Sequence, residues 1–444
     1  HNRIYVEYLQ DDGRNIGYPA LTMDVAFANA KIGSLSHVYE NKAKKLFRWE
    51  TKVYMNYIDH AMDDTKRPAA LVPMHMDMPG NSMTSGFYSG GSIRIAKQNF
   101  LYLKVDGYQN DLHAEMTMYP KTGNKMFMLT IPDARRSDLG LNISDKHYFR
   151  KGSSLSFGGR LEYVHSEITT LIGRQTMTSN YIGNPDKNKL IYNVFIRYEQ
   201  KLKKNFTLFM NVSNSLRHAT LQEMYGFYLY NRVDAHDYLG NPDLKPEASL
   251  NFNLGVKTEH KKWNASFQFF TYQFSNYITG VRLNGYSVMT IGGSGVKSYT
   301  NLSSANISGG EYSLQWKLID KLLIQTTGSI SIGQDVTGAA LPFIPPFRSV
   351  SKIQYDLKGY FFKLEYITAA AQKRVSSEKY GEKTTPNFHV FNIGISKQFT
   401  FAKNYLQCSL NLDNVFNASY YEHLDVMKVH RQGRNLTIRV TLVF

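Results

Sequence analysis

The chain has 444 residues, among them 31 Tyr, 26 Phe, 16 Met and one Cys. A single cysteine excludes a disulfide framework and a thiolate cluster, and no run reaches the roughly 18 apolar residues a membrane helix needs. Lys and Arg outnumber Asp and Glu by 52 to 36, a formal net charge of +16, but the lysines are scattered or sit in short turns such as QKLKKN and EHKKWN, so the charge suits a surface or a lumen and no nucleic-acid partner is expected.

The opening HNRIYVEYLQ reads as the middle of a strand, with no basic start and apolar core of a signal peptide, so the chain is expected to lack its beginning. Further on, NFTLFMNVSN places Phe206, Leu208, Met210 and Val212 on one face and Thr207, Asn211 and Ser213 on the other, with Phe209 out of step. LNFNLGVKT sets Leu250, Phe252, Leu254 and Val256 against Asn251, Asn253, Gly255 and Lys257. ASFQFFTYQFSNYITG and GEYSLQWKLI outrun the usual strand of five or six residues. YLQCSLNLDN alternates in the same way, with Cys408 as a small hydrophobe between Leu406 and Leu410. NLTIRVTLVF ends on Phe444, which shares a face with Leu436, Ile438, Val440 and Leu442. A period of two is the β signal.

Connections alternate between short and long. Short ones fall near 40–46, 97–99, 146–151, 201–205, 259–262, 319–321, 357–359 and 398–404; long polar ones near 62–87, 113–136, 166–188, 214–247, 334–347, 372–386 and 417–434. Residues 276–304 are expected to add a long loop with its own short strand. Tight turns at one end and long loops at the other describe an outer-membrane barrel, the closed form in which strands satisfy their backbone groups in lipid. The expectation is an all-β, antiparallel transmembrane barrel of about 18 strands in this chain, with short periplasmic turns, long extracellular loops and Phe444 on the lipid face. The absence of a fixed repeat weighs against a solenoid or propeller.

The residues Asn411, Leu412, Asp413, Asn414, Val415, Phe416 and Asn417, then Tyr420, Tyr421, Gly433, Arg434 and Asn435, resemble the carboxyl-terminal end of a TonB-dependent outer-membrane receptor. Asn241, Pro242, Leu244, Lys245, Pro246 and Glu247 are similar to a loop-to-strand segment of the same receptors. The resemblance implies a 22-stranded barrel in the outer membrane of a Gram-negative bacterium, surrounded by lipid and lipopolysaccharide and filled by a plug that receives energy from TonB. Residues 1–444 are expected to be the barrel domain lacking its first strands, with the plug in cis or on a separate chain.

Ten methionines lie between residues 55 and 128: Met55, Met62, Met74, Met76, Met78, Met83, Met116, Met118, Met126 and Met128. Thioether sulfur is a soft, uncharged ligand that selects Cu(I), and His60, His75 and His113 add imidazole suited to copper or zinc. If MHMDMPG is extended, Met74, Met76 and Met78 stand roughly 6.6–7 Å apart, too far for all three to hold one ion. Asp63, Asp64 and Asp77 suit a harder metal. Methionine also fills gaps and makes adaptable apolar surfaces. MHMDMPG, LHAEMTMYP, MFMLTIPDARR and GYPALTMD, the last with Pro19 and Met23, resemble the copper-receptor branch. That resemblance implies capture of copper as transported ligand, with no resident cofactor, by Met74, His75, Met76, Met78, Met83, His113, Met116, Met118, Met126 and Met128. The alternatives are another metal chelate, a small organic ligand, or a protein or peptide partner, including an accessory surface protein. His147 is expected to be solvated and His165 to be a secondary ligand. No G-x-S-x-G, H-E-x-x-H or phosphate loop is present, so no enzyme activity is expected.

Overall fold

The computed structural model describes residues 1–18, 21–150, 152–178, 181–203, 205–401 and 404–443. Pro19 and Phe444 lie outside the described residues. One antiparallel meander runs through β1 (Asn2–Ile16), β2 (Asp24–Glu40), β3 (Leu46–Asp63), β4 (His75–Ala96), β5 (Asn99–Tyr119), β6 (Met126–Tyr148), β7 (Ser153–Ile168), β8 (Lys187–Lys203) and β9 (Phe206–Arg217). A short hairpin, β10 (Leu229–Asn231) and β11 (His236–Leu239), interrupts it. The wall resumes with β12 (Glu247–Glu259), which pairs with β9, and continues through β13 (Trp263–Leu283), β14 (Val296–Ile319), β15 (Leu322–Asp335), β16 (Arg348–Leu357), β17 (Tyr360–Ala369), β18 (Phe388–Phe401), β19 (Asn404–Asp413) and β20 (Asn435–Val443). Eighteen of these strands form the wall. Among the described residues no pairing joins β1 to β20.

Each of the eight expected short turns falls in a short gap between two consecutive strands of the wall. Between β16 and β17, Lys358 and Gly359 have φ of 52° and 80°, the double positive φ of a two-residue hairpin turn that matches strand twist. Aromatic rings gather at this end, Phe47 and Tyr148 on Phe100, and Phe206 on Trp263, as interfacial girdles do. The outward face is apolar: Leu436, Ile438, Val440 and Leu442 are exposed, as are Leu250 and Leu254, with Phe252 and Val256 half-buried. On the inner face Asn251 donates to Ser213 (3.3 Å) and Tyr272 to Asn253 (3.2 Å).

The long loops are shorter than expected at two places. The connections at 62–87 and 113–136 reduce to residues 64–74 and 120–125, because β4, β5 and β6 have 22, 21 and 23 residues. A strand needs only about 9–11 residues to cross a bilayer, so their outer halves stand in water, where polar residues no longer distinguish strand from loop. The expected short strand in 276–304 is likewise displaced: that stretch is the end of β13, a loop and the start of β14, and the extra strands are β10 and β11. β11 lies parallel to the start of β14, with Tyr238 opposite Lys297.

Candidate functional site

Met-x-Met recurs on three neighbouring strands: Met76 and Met78 on β4, Met116 and Met118 on β5, Met126 and Met128 on β6. Register turns these pairs into two rungs. Val25 faces Met62, Met62 faces Met78, and Met116 faces Met128. One rung further out, Met76 faces Met118 and Met118 faces Met126. Residues on one face at directly paired positions have Cβ atoms about 4.5–5.5 Å apart, closer than neighbours along a strand, so sulfurs converge across strands. The β4–β5 ladder skips Met78 and Pro79, because proline has no N–H to donate.

The ladder is buried. Met62, Met76, Met116 and Met118 are 2–3% exposed, and Met23, Val25 and Met128 complete the cluster. Met74, Met78, Met289, Phe227, Tyr228 and Ile291 pack on it. Arg67 fastens the β1–β2 loop that carries Met23, through Asp24 (2.6 Å) and the carbonyls of Tyr18 (2.8 Å) and Met23 (3.3 Å).

A roof from distant loops closes the cluster. The buried Asp237 accepts the backbone N–H of Met289 (2.8 Å) and of Thr290 (3.0 Å). Asp234 pairs with Lys297 and accepts the Tyr238 hydroxyl (2.7 Å). Burial pushes the Lys297 ammonium below its usual pKa, against the pull of Asp234. This network seats the hairpin over the methionines, where Arg232 Nη2 donates to Met62 Sδ at 2.9 Å and Tyr230 to Met427 Sδ at 3.4 Å. Between ladder and roof lies a cavity of about 210 Å³, lined by Met23, Met62, Met76, Met78, Met116, Met427, Tyr230 and Arg232 with Leu21 and Ile291. A larger hollow of about 480 Å³ at the short-turn end, among Lys317, Asp320, Lys363 and Arg439, has no sulfur among the described residues of its lining.

Of the ten candidate ligands, Met74, Met76, Met78, Met116, Met118 and Met128 meet at this cluster. Met126 is on the ladder but 42% exposed, and Met83, 40% exposed, alternates to the opposite face of β4 with Phe87. The two histidines also stand apart. His75 pairs with Asp64 and Asp77 and stacks on Tyr119 at 5.0 Å. His113 contacts Asp133 at 2.7 Å and Glu115 at 3.5 Å. Among the described residues no three His, Cys, Asp or Glu side chains gather to hold a metal. The site's donors are neutral thioethers, which hold a soft cation without buried carboxylates. Arg232, Tyr230, Met289 and Met427 escaped the sequence reading; the one available signal was their position in or beside long connections at the same end of the meander.

A family model described as "TonB dependent receptor-like, beta-barrel" matches residues 7–418. Among solved structures, "Copper transporter OprC" superposes with a TM-score of 0.83 at 21% identity, over 99% of this chain and 69% of that one. The ferric citrate transporter FecA in its unliganded form gives 0.70 at 13%, over 93% and 61%. The FrpB iron transporter from Neisseria meningitidis (F3-3 variant) gives 0.69 at 12%, over 99% and 69%. At these identities the likeness is one of fold, and the chain spans about two thirds of the length of these structures.

Proposed function

The chain belongs to the TonB-dependent receptor β-barrel family, and from that premise we propose that it imports a soft metal, as ion or chelate, captured at the methionine ladder beneath its roof. The coarser assignment is the family's: an outer-membrane receptor of a transport class, not an enzyme. The observation that carries the finer reading is the register of Met-x-Met on β4, β5 and β6, which gathers buried thioethers around one cavity. Copper is the metal this reading favours. Thioether selects Cu(I), His75 and His113 are engaged by carboxylates, and the structure of similar fold at TM-score 0.83 is named a copper transporter.

A second reading, a metal chelate or small organic ligand, has support of its own. The cavity wall is largely apolar and carries one guanidinium, and FecA and FrpB are named for ferric citrate and iron. In either reading the outer loops admit the ligand, the roof shields it from water, and a plug, in cis or on a second chain, passes it inward with energy from TonB. Further strands would join the edges of β1 and β20 that have no partner among the described residues, and lipopolysaccharide would surround the apolar outer rows.

Titration of the purified protein with Cu(I) under anaerobic conditions and with ferric citrate tests the readings, against a variant carrying Met76→Leu, Met116→Leu and Met118→Leu. Leucine keeps the volume and removes the sulfur. The copper reading expects Cu(I) affinity to fall about tenfold or more and ferric citrate not to bind. Unchanged Cu(I) affinity sinks it, and saturable ferric citrate binding would install the second reading.

A further inference from the structure

Among the described residues, Arg232 is the one charged residue in the wall of the methionine cavity. Its side chain donates to Met62 Sδ and forms no ion pair among the described residues. The roof's acids do not supply one. Asp234 is taken by Lys297, and Asp237 holds the amides of Met289 and Thr290, its second oxygen buried without a partner among the described residues. A guanidinium is a planar fork of five donors that suits carboxylates and other oxyanions. A thioether is a weak acceptor and leaves most of that capacity unused, while a half-buried cation without a counter-charge costs free energy.

We propose that Arg232 recognises an anion, so that the cargo of this cavity is a soft metal complex bearing an anionic group, which draws the guanidinium away from the Met62 sulfur. While Nη2 occupies a lone pair of that sulfur, the pair is withheld from a metal. An anion that takes the guanidinium releases it, and one metal–sulfur bond replaces one hydrogen bond with no change of oxidation state. Charge and metal are then read together. A bare cation meets an uncompensated positive charge and a Met62 sulfur already engaged in a hydrogen bond; an anionic complex meets a counter-charge and a Met62 sulfur freed of that bond.

The inference rests on the reading that this cavity holds the ligand, and the experiment separates the two. Cu(I) is titrated anaerobically into the full chain as its acetonitrile-solvated cation and as its anionic thiosulfate complex. Wild-type protein, Arg232→Gln, Arg232→Lys and the triple methionine variant are compared. The expected result is a crossing: Arg232→Gln weakens binding of the anionic complex about tenfold or more and strengthens binding of the cation, while Arg232→Lys keeps the preference for the anion. If Arg232→Gln moves both probes in the same direction, or neither, Arg232 is structural and the inference falls. Loss of both probes in the triple variant with no crossing at Arg232 overturns the inference alone, whereas wild-type binding of both probes by the triple variant overturns the cavity reading as well.

Discussion

Arg232 Nη2 lies 2.9 Å from the sulfur of Met62, 170 residues earlier in the chain. Met62 is the penultimate residue of β3, and Arg232 directly follows β10. Their contact ties the wall of the barrel to its roof. Tyr230 repeats the arrangement two residues earlier, giving its hydroxyl hydrogen to Met427, whose own N–H donates to the Arg232 carbonyl at 3.0 Å. The roof is thus fastened by sulfur acceptors that also face the cavity.

Replacing Met62 by Leu conserves volume and should cost under about 1.5 kcal/mol, while depriving Arg232 of its acceptor. Thermal unfolding in detergent is expected to stay near that of the unaltered protein. Limited proteolysis within residues 218–246 should become faster. Equal cleavage rates would mean that this hydrogen bond does not hold the roof.

Lys297 and Asp234 are 1% and 5% exposed. Lys297→Met leaves the Asp234 carboxylate buried with its cation gone, and removing one partner of such a pair costs about 3–5 kcal/mol. Hydrogen exchange at the β11 amides should accelerate in Lys297→Met and recover in the double variant Lys297→Met with Asp234→Asn. Failure of the second change to restore protection would exclude the uncompensated charge as the cause.

Acid should release another strap of the outer end. Asp335 closes β15 and receives hydrogen bonds from Lys379, Thr337 (2.7 Å) and Tyr380 (2.7 Å), the first and last of which belong to the short helix Ser377–Tyr380. Burial opposes ionisation of Asp335, but those donors outweigh it and hold its carboxyl well below the ordinary 3.8. A carboxyl lowered on folding stabilises the fold above the unfolded-state pKa and loses that contribution as pH falls through the folded-state value. Exchange protection around 376–382 is therefore expected to hold at neutral pH and to decline below about pH 4. Asp335→Asn should lower it already at neutral pH, where a protection pattern like the unaltered protein's would contradict the assignment.

Ile438 is 72% exposed on the outer face of β20, whereas Thr437 pairs with Asn411 on the inner face beside Arg439 in alternation. Arginine on the lipid face near mid-bilayer costs about 2–4 kcal/mol, and in the lumen far less. Folding titrations into lipid bilayers should find Ile438→Arg strongly destabilised and Thr437→Arg little changed. Equal costs at the two positions would mean that the faces of β20 have been exchanged.

The wall of the barrel was legible in the sequence because its determinants are local. Alternation such as Leu250, Phe252, Leu254 and Val256 against Asn251 and Asn253 follows from the two-residue period of a strand between lipid and lumen. Eight tight turns and about 18 strands followed from counting the alternating short and long connections between those stretches. The same reasoning overextended the loops at 62–87 and 113–136, since a strand that leaves the membrane keeps its backbone pairing but loses the apolar row that announces it. Alternation from His75 puts Met76 and Met78 on one face of β4 and Met83 on the other, but a stretch read as loop has no faces, and Met83 was therefore expected among the ligands. What only the tertiary structure decided is which strand positions meet and what covers them. Register set Met62 against Met78 and Met116 against Met128. Carboxylates from other segments engaged His75 and His113. Arg232 and Met427 arrived from chain far beyond the methionine-rich region. These outcomes depend on the free energy of packing residues tens to hundreds of positions apart, and no periodicity along the chain encodes it.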